Sequence, residues 1–132
     1  MVKEISVFIP DRPGQLAKFA KTLMEKQINM QAMTVLESVK SGNLRMIVDK
    51  TDDCVDLLKS KNYIISVTDV IIVVEPIDIY EIANIMGEND INIEYIYSST
   101  LLRAKTLIVL KVDDINKATE ILKKKGVKLV EK

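Results

Sequence analysis

Two α+β units in tandem, each running strand–helix–strand–strand–helix–strand, make up the fold class that the sequence predicts. Three observations carry this. Shifted by 63 positions, the chain comes into register with itself: Val7 meets Val70, Ile9 meets Ile72, Pro13 meets Pro76, and Ile28-Asn29 meets Ile91-Asn92. After a one-residue slip, Val48-Asp49 meets Val112-Asp113 and Leu58-Lys59 meets Leu122-Lys123. Within each half, short β-favouring runs alternate with stretches of helical apolar spacing. Finally, 132 residues at 48% apolar and 29% charged form an ordinary globular composition, long enough to build a core without disulfides or metals. The period is too long for a solenoid and suits two duplicated domains, 1–67 and 68–132, with the boundary near Val67 to Asp69.

The elements follow in order. Lys3 to Ile9 reads as a strand, and Asp11-Arg12-Pro13-Gly14 as a turn in which Pro fixes φ and Gly admits an unusual one. From Gln15 to Lys26, Leu16, Phe19, Ala20 and Leu23 fall at helical spacing. Asn29 to Leu36 and Leu44 to Val48 are extended around a hairpin turn at Lys40-Ser41-Gly42-Asn43. Asp52 or Asp53 is placed to cap a helix carrying Val55 and Leu58 inward, and Tyr63 to Val67 is a strand. The second half repeats this. Val70 to Val74 is a strand, Ile79, Ile82, Ala83 and Met86 line a helix, and Ile93 to Tyr97 and Leu107 to Val112 are strands. Ile115 to Lys125 is a helix, with Ala118, Ile121 and Leu122 inward and Gly126 at its C′ position, before a closing strand from Val127 to Val130. This order is the split β-α-β, or ferredoxin-like, arrangement: an antiparallel four-stranded sheet with both helices on one face. Open sheet edges favour pairing with a second copy, so a homodimer is expected, and a seam between units is a natural place for a ligand.

Absences narrow the chemistry. The chain has no histidine, which removes His-based acid–base catalysis, the Ser-His-Asp triad and most zinc sites. Cys54 is the single cysteine and reads as a small buried apolar residue, so neither a disulfide nor a thiolate cluster is expected. Nineteen basic residues balance nineteen acidic ones, which argues against nucleic acid as the main partner. The longest apolar run, Val70-Ile71-Ile72-Val73-Val74, is far short of a membrane span, and Met1-Val2-Lys3-Glu4 opens no signal-peptide core. A cytoplasmic protein without membrane, metal or cofactor is the expectation.

Asp11-Arg12-Pro13-Gly14-Gln15-Leu16 after a strand, and Glu25-Lys26-Gln27-Ile28-Asn29-Met30 from helix end to the next strand, together resemble the ACT domain. Its signature is a strand, then D/N-x-P-G-x-L, then a helix closing in G-I-N-I; here Gln27 stands where the family most often has Gly. The second half offers Asp90-Ile91-Asn92-Ile93 and keeps Pro76 of the loop. Across its whole length the chain is similar to stand-alone proteins made of two ACT domains. The resemblance implies a regulatory binding module that pairs with others and takes a small molecule, most often a free amino acid, at the pairing interface. It also implies a partner enzyme of amino-acid metabolism. In the family the Asn of this motif serves a site completed by the neighbouring domain, so Asn92 with Ile93 is expected to meet the first loop, and Asn29 with Met30 the second.

The loop's own chemistry points the same way. A carboxylate is held by backbone N–H groups at a helix start, where the helix dipole favours an anion, and Gly14-Gln15-Leu16 supplies them. Asp11 is at hand for an ammonium group, and Asn29 offers both donor and acceptor. Plainer readings stand beside these. Asp11 also suits a turn, Arg12 a solvated surface, and Asn29 and Asn92 a left-handed corner. Tyr95 either packs with Tyr97 on one sheet face or walls a pocket. Ile77 and Asp78 replace Gly14 and Gln15 in the second half, so the chain is expected to carry one good site or two unequal ones. No nucleophile–base pair or phosphate loop is present, so an enzyme is not expected. An RNA-binding module of this topology would need strand aromatics and a basic cluster, and Ile5 to Ile9 with Leu44 to Val48 hold only Phe8. A regulatory or scaffold subunit acting through a partner enzyme, with weak or no ligand binding, is the alternative.

Overall fold

The structure, a computed structural model, describes residues 2–37, 43–74, 77–99 and 106–131. It divides into two compact units, Lys3–Thr68 and Asp69–Lys132, with Val2 grouped with the latter. The element order is β1 (Val2–Val7), α1 (Gln15–Glu25), β2 (Met30–Val35), β3 (Leu44–Val48), α2 (Thr51–Ser60), β4 (Ile65–Val74), α3 (Ile79–Glu88), β5 (Ile93–Ser99), β6 (Leu107–Val112) and α4 (Ile115–Lys124). No helix among the described residues is long and apolar enough to cross a membrane.

In the first unit the strands run β2-β3-β1-β4. β1 lies antiparallel to β3, with Ile5 opposite Met46 and Val7 opposite Leu44. Residues alternate across the sheet. Ile5, Val7, Leu44, Met46 and Val48 meet Phe19 and Leu23 of α1 and Cys54 and Leu58 of α2 in one buried cluster. Phe19 packs edge-on against Tyr63, ring centroids 5.3 Å apart. On the other sheet face, buried Glu4 lies 3.8 Å from the Arg45 guanidinium. In the second unit β5, β6 and β4 are neighbours, and Ile71, Val73, Ile108, Leu110 and Val112 meet Ile82, Met86, Ala118 and Leu122 in a separate cluster. This is the ferredoxin-like arrangement in both halves.

Several details differ from the sequence reading. The two strands expected at Tyr63 to Val67 and Val70 to Val74 are one strand, β4, because Val67-Thr68-Asp69-Val70 holds neither Gly nor Pro and β-branched residues favour continuing it. The closing segment at Val127 to Val130 is reduced to one bridge between Leu129 and Val73. Two flanking bonds support it, from Val74 N–H to Lys128 O and from Val130 N–H to Ile72 O. Helix α2 begins at Thr51 behind Lys50 without a side-chain cap, and Asp52 and Asp53 sit in its first turn, where they face the positive end of the dipole. Most of the Lys40-Ser41-Gly42-Asn43 turn, and Pro76, lie outside the described residues.

Each of the four helices ends the same way. The C′ residues Gln27, Asn62, Asp90 and Gly126 have φ of 57°, 65°, 57° and 78°. In α1, Gln27 N–H reaches Met24 O and Ile28 N–H reaches Leu23 O; the equivalent pairs close α2, α3 and α4. These are Schellman ends, and the following residue (Ile28, Tyr63, Ile91 or Val127) returns to the core.

Candidate functional site

The site is built where β1 hands over to α1. Phe8 N–H donates to Ile64 O at 3.0 Å, which pins the end of the strand. The chain then turns tightly, with Arg12 N–H donating to Pro10 O at 2.9 Å and Gln15 N–H to Arg12 O at 3.3 Å. Gly14 closes the loop at φ 83°, ψ −10°. A Cβ there would meet nothing within 4 Å, so the glycine is required by its left-handed backbone rather than by lack of space. No side chain caps α1, whose N-cap residue is Gly14 itself.

Asn43 holds the loop from the other side. It is 6% exposed. Its Oδ1 accepts from Ile9 N–H at 2.8 Å, and its Nδ2 donates to Ile9 O at 2.7 Å. Its own backbone N–H donates to Val7 O, and its carbonyl accepts from Leu36 N–H. One amide thus replaces the sheet ladder just past the end of β1, so Ile9 is buried with its polar groups satisfied. Sequence reasoning took Asn43 only as a turn residue. An Asn beside a Gly signals a turn, and its burial is visible only once β1 and β3 are paired.

Beside this clamp is a cavity of about 220 Å³. Ile9, Pro10, Leu16, Val35 and Leu44 give it apolar walls, and Asp11, Arg12 and Asn43 complete it. Gln15 opens instead onto a second cleft of about 420 Å³, with Phe8, Lys18, Lys61 and Tyr63. Pro13 and Gly14 shape the loop and line neither cavity.

Asn29 and Met30 lie at the far end of α1, about 16 Å along an eleven-residue helix. There Asn29 binds Asp49: its N–H donates to Oδ1 at 2.9 Å and its Nδ2 to Oδ2 at 3.0 Å, while Asp49 N–H donates back to Asn29 O. Burial works to raise the Asp49 pKa, but the Asn29 backbone and side-chain bonds, with the Lys50 N–H and charge, hold it below the usual carboxylate value. Asn92 makes the matching contact in the second unit, its N–H donating to Asp113 Oδ1 at 3.0 Å. Met30 and Ile93 begin β2 and β5 at matching irregularities in register, and Ile93 packs on the second core. Tyr95 is half-buried and stacks on Tyr97 at 6.5 Å. Of the expected site residues within the first unit, the structure therefore brings Asp11, Arg12 and Leu16 to one cavity and separates Asn29 and Met30 from it.

The second unit is built differently at the equivalent place. Val7 pairs with Leu44, four residues before Val48; Val73 pairs with Ile108, four before Val112. Phe8 N–H bonds Ile64 O, as Val74 N–H bonds Lys128 O. The counterpart of Val7 is therefore Val73, not Val70, and the uniform 63-residue shift is corrected over the first strand. Phe19 and Ile82 are the first buried residues of α1 and α3. Twelve positions separate Val7 from Phe19 and nine separate Val73 from Ile82, so the second connection is three residues shorter. Leu107, the residue before Ile108, stands where Asn43 stands before Leu44. Asp78 caps α3 at φ −92°, its Oδ1 accepting from Glu81 N–H at 2.9 Å.

Comparison with known proteins matches the profile of the ACT domain pair family over residues 1–132. Among solved structures, protein BT0572 from Bacteroides thetaiotaomicron superimposes with a TM-score of 0.86 at 26% identity, covering 98% of this chain and 91% of that one. The regulatory subunits of aspartate kinase from Thermus thermophilus and Thermus flavus share the fold at TM-scores of 0.62 and 0.61 and identities of 16% and 18%. The match covers 92% of this chain in each case, and 91% and 88% of theirs. No curated protein matches the chain significantly.

Proposed function

Because the chain belongs to the family of ACT domain pairs, whose domains are regulatory modules, we propose that it is a regulatory protein that binds a free amino acid at the Asp11–Leu16 loop and acts on a separate enzyme of amino-acid metabolism. The observation that carries this is the uncapped start of α1 behind left-handed Gly14, next to a cavity that has one acid and one base at its rim. Gln15 N–H is taken by Arg12 O, so the dipole and the first-turn N–H groups that follow it favour a carboxylate, Arg12 adds positive charge, and Asp11 suits the ammonium group. In the second unit the shorter connection and the Asp78 cap put the protein's own carboxylate at the helix start, so we assign the working site to the first unit. The reading includes a second copy pairing at the edge strand β2, where Val35 and Leu36 are exposed, as are Leu16 and Met24 on α1.

Thermal melting against the common L-amino acids tests the reading. A ligand at about 100 times its Kd stabilises the fold by about 2.7 kcal/mol, an easily measured shift. The expected result is a shift from some of the panel that Asp11→Ala abolishes. A flat panel at millimolar concentration rejects ligand binding and leaves action through a partner.

A further inference from the structure

The geometry points to an α-amino acid with an aliphatic side chain, such as leucine, valine or methionine, as the ligand class of the first-unit cavity, an inference that rests on the reading above. Five of its walls are apolar: Ile9, Pro10, Leu16, Val35 and Leu44. Among the described residues, Asn43 is the one uncharged polar residue of its lining, and both ends of its amide are already bound to Ile9 at 2.8 and 2.7 Å. A site that selects a hydroxyl, amide or charged side chain needs polar groups left for that purpose, because specificity for such groups comes from buried partners that would otherwise go unpaired. The other polar groups of the described lining, Asp11 and Arg12, are adjacent, exposed and of opposite sign. That pair complements a zwitterionic head and leaves the apolar walls to the side chain. At about 220 Å³ the cavity falls below the roughly 300–1,000 Å³ of drug-sized sites, so its occupant is small.

The test uses the full chain and its melting temperature with L-leucine, L-valine, L-methionine, L-alanine, L-serine, L-aspartate and L-lysine at equal concentration, followed by calorimetric titration of any that bind. Leucine, valine and methionine are expected to bind, with alanine at least about tenfold weaker than leucine, since each missing methylene in an apolar pocket weakens binding by that order. Leu16→Asn and Val35→Asn are each expected to cut the leucine shift. Both positions are exposed, at 42% and 53%, so the variants keep the fold; because they also lie on the proposed pairing surface, the oligomeric state of each is measured alongside, and a lost shift with pairing intact assigns the loss to the cavity. Serine, aspartate or lysine binding as well as leucine overturns the aliphatic assignment and leaves amino-acid binding standing. Leucine binding unchanged in both variants overturns the assignment to this cavity. No binding by any of the seven overturns the aliphatic assignment, and the panel of all the common L-amino acids then decides the amino-acid reading itself.

Discussion

The two units share a core and differ at one connection. Phe19 and Leu23 in the first unit, and Ile82 and Met86 in the second, fill equivalent places, the first pair against β1 and β3 and the second against β4 and β6. Both units end their helices in left-handed C′ residues, and both tie the start of the second strand to an aspartate, Asn29 to Asp49 and Asn92 to Asp113. Between first strand and first helix they part. The first unit uses three more residues, a left-handed glycine, no side-chain cap and a buried Asn43 clamp. The second has three fewer residues, a self-supplied Asp78 cap and Leu107 in place of Asn43. Packing constrains the shared parts, because a changed core volume is felt throughout a close-packed interior. The connection is free of that constraint, which is where function is usually carried. A duplicated protein thus contains its own control: whatever a loop does beyond closing the fold should be present in one unit and missing from the other.

The strongest way to break the comparison is Asn43→Ala. It leaves the Ile9 N–H and C=O without their partner in a place where Ile9 is 6% exposed. Loss of about 2 kcal/mol in urea unfolding is expected, the cost of buried polar groups left unpaired. Any amino-acid-induced rise in melting temperature should vanish with it. Leu107→Ala in the second unit is the control: it removes apolar packing of similar consequence and should leave the ligand shift intact. Equal loss of the ligand shift in both variants would erase the distinction between the units.

Most of the fold was legible from the residues because its signals are local. Leu16, Phe19, Ala20 and Leu23 repeat at helical spacing, and Val127 after Gly126 marks a helix end. The repeat itself was visible through Ile28-Asn29 and Ile91-Asn92, which the Asn–Asp ties hold to the same geometry. What the sequence concealed depends on pairing. Val70-Ile71-Ile72-Val73-Val74 is apolar at every position and shows no alternation to mark a register, so Val7 could be matched to Val70 as readily as to Val73; only the bonds to β3 and β6 fix the register. The same ambiguity hid the three-residue difference between the connections. Asn43 was hidden for a related reason, since its side chain serves Ile9, 34 positions away. That Asp11, Arg12 and Leu16 share one loop was legible because the D-x-P-G-x-L spacing is itself a turn followed by a helix start.

A smaller effect sharpens the comparison at the opposite end of the helices. Asp49 takes two bonds from Asn29 and its pKa is lowered, the bonds and the Lys50 charge outweighing the opposing pull of burial. A carboxylate with a lowered folded pKa adds stability that is complete above its unfolded value of about 3.9 and is lost as the pH falls through the folded value. Urea midpoints measured from pH 6 down to pH 3 should therefore fall more steeply in the native chain than in Asp49→Asn. At pH 6 the Asp49→Asn variant should be less stable by about 1 kcal/mol, the size of a solvent-exposed charged hydrogen bond. Parallel curves for the two chains would show that the tie contributes no pH dependence.

The smallest effect concerns the helix ends, where the units differ by one residue type in an otherwise identical motif. Gln27 and Asp90 occupy the same C′ position, both at φ 57°. A left-handed conformation costs an L-residue about 1–2 kcal/mol, less for Asp, whose short polar side chain suits it. Glycine removes that strain, and its greater freedom in the unfolded chain takes back part of the gain. Gln27→Gly is expected to stabilise the chain by about 0.5–1 kcal/mol and Asp90→Gly by less, both read from urea midpoints at unchanged slope. Gly126, at φ 78° in the same role on α4, supplies the reverse experiment. Gly126→Gln should destabilise by about what Gln27→Gly stabilises, because the same residue type is exchanged at the same backbone geometry. Should Gln27→Gly instead destabilise, the glutamine side chain contributes a contact that outweighs the strain, and the four helix ends would no longer be equivalent.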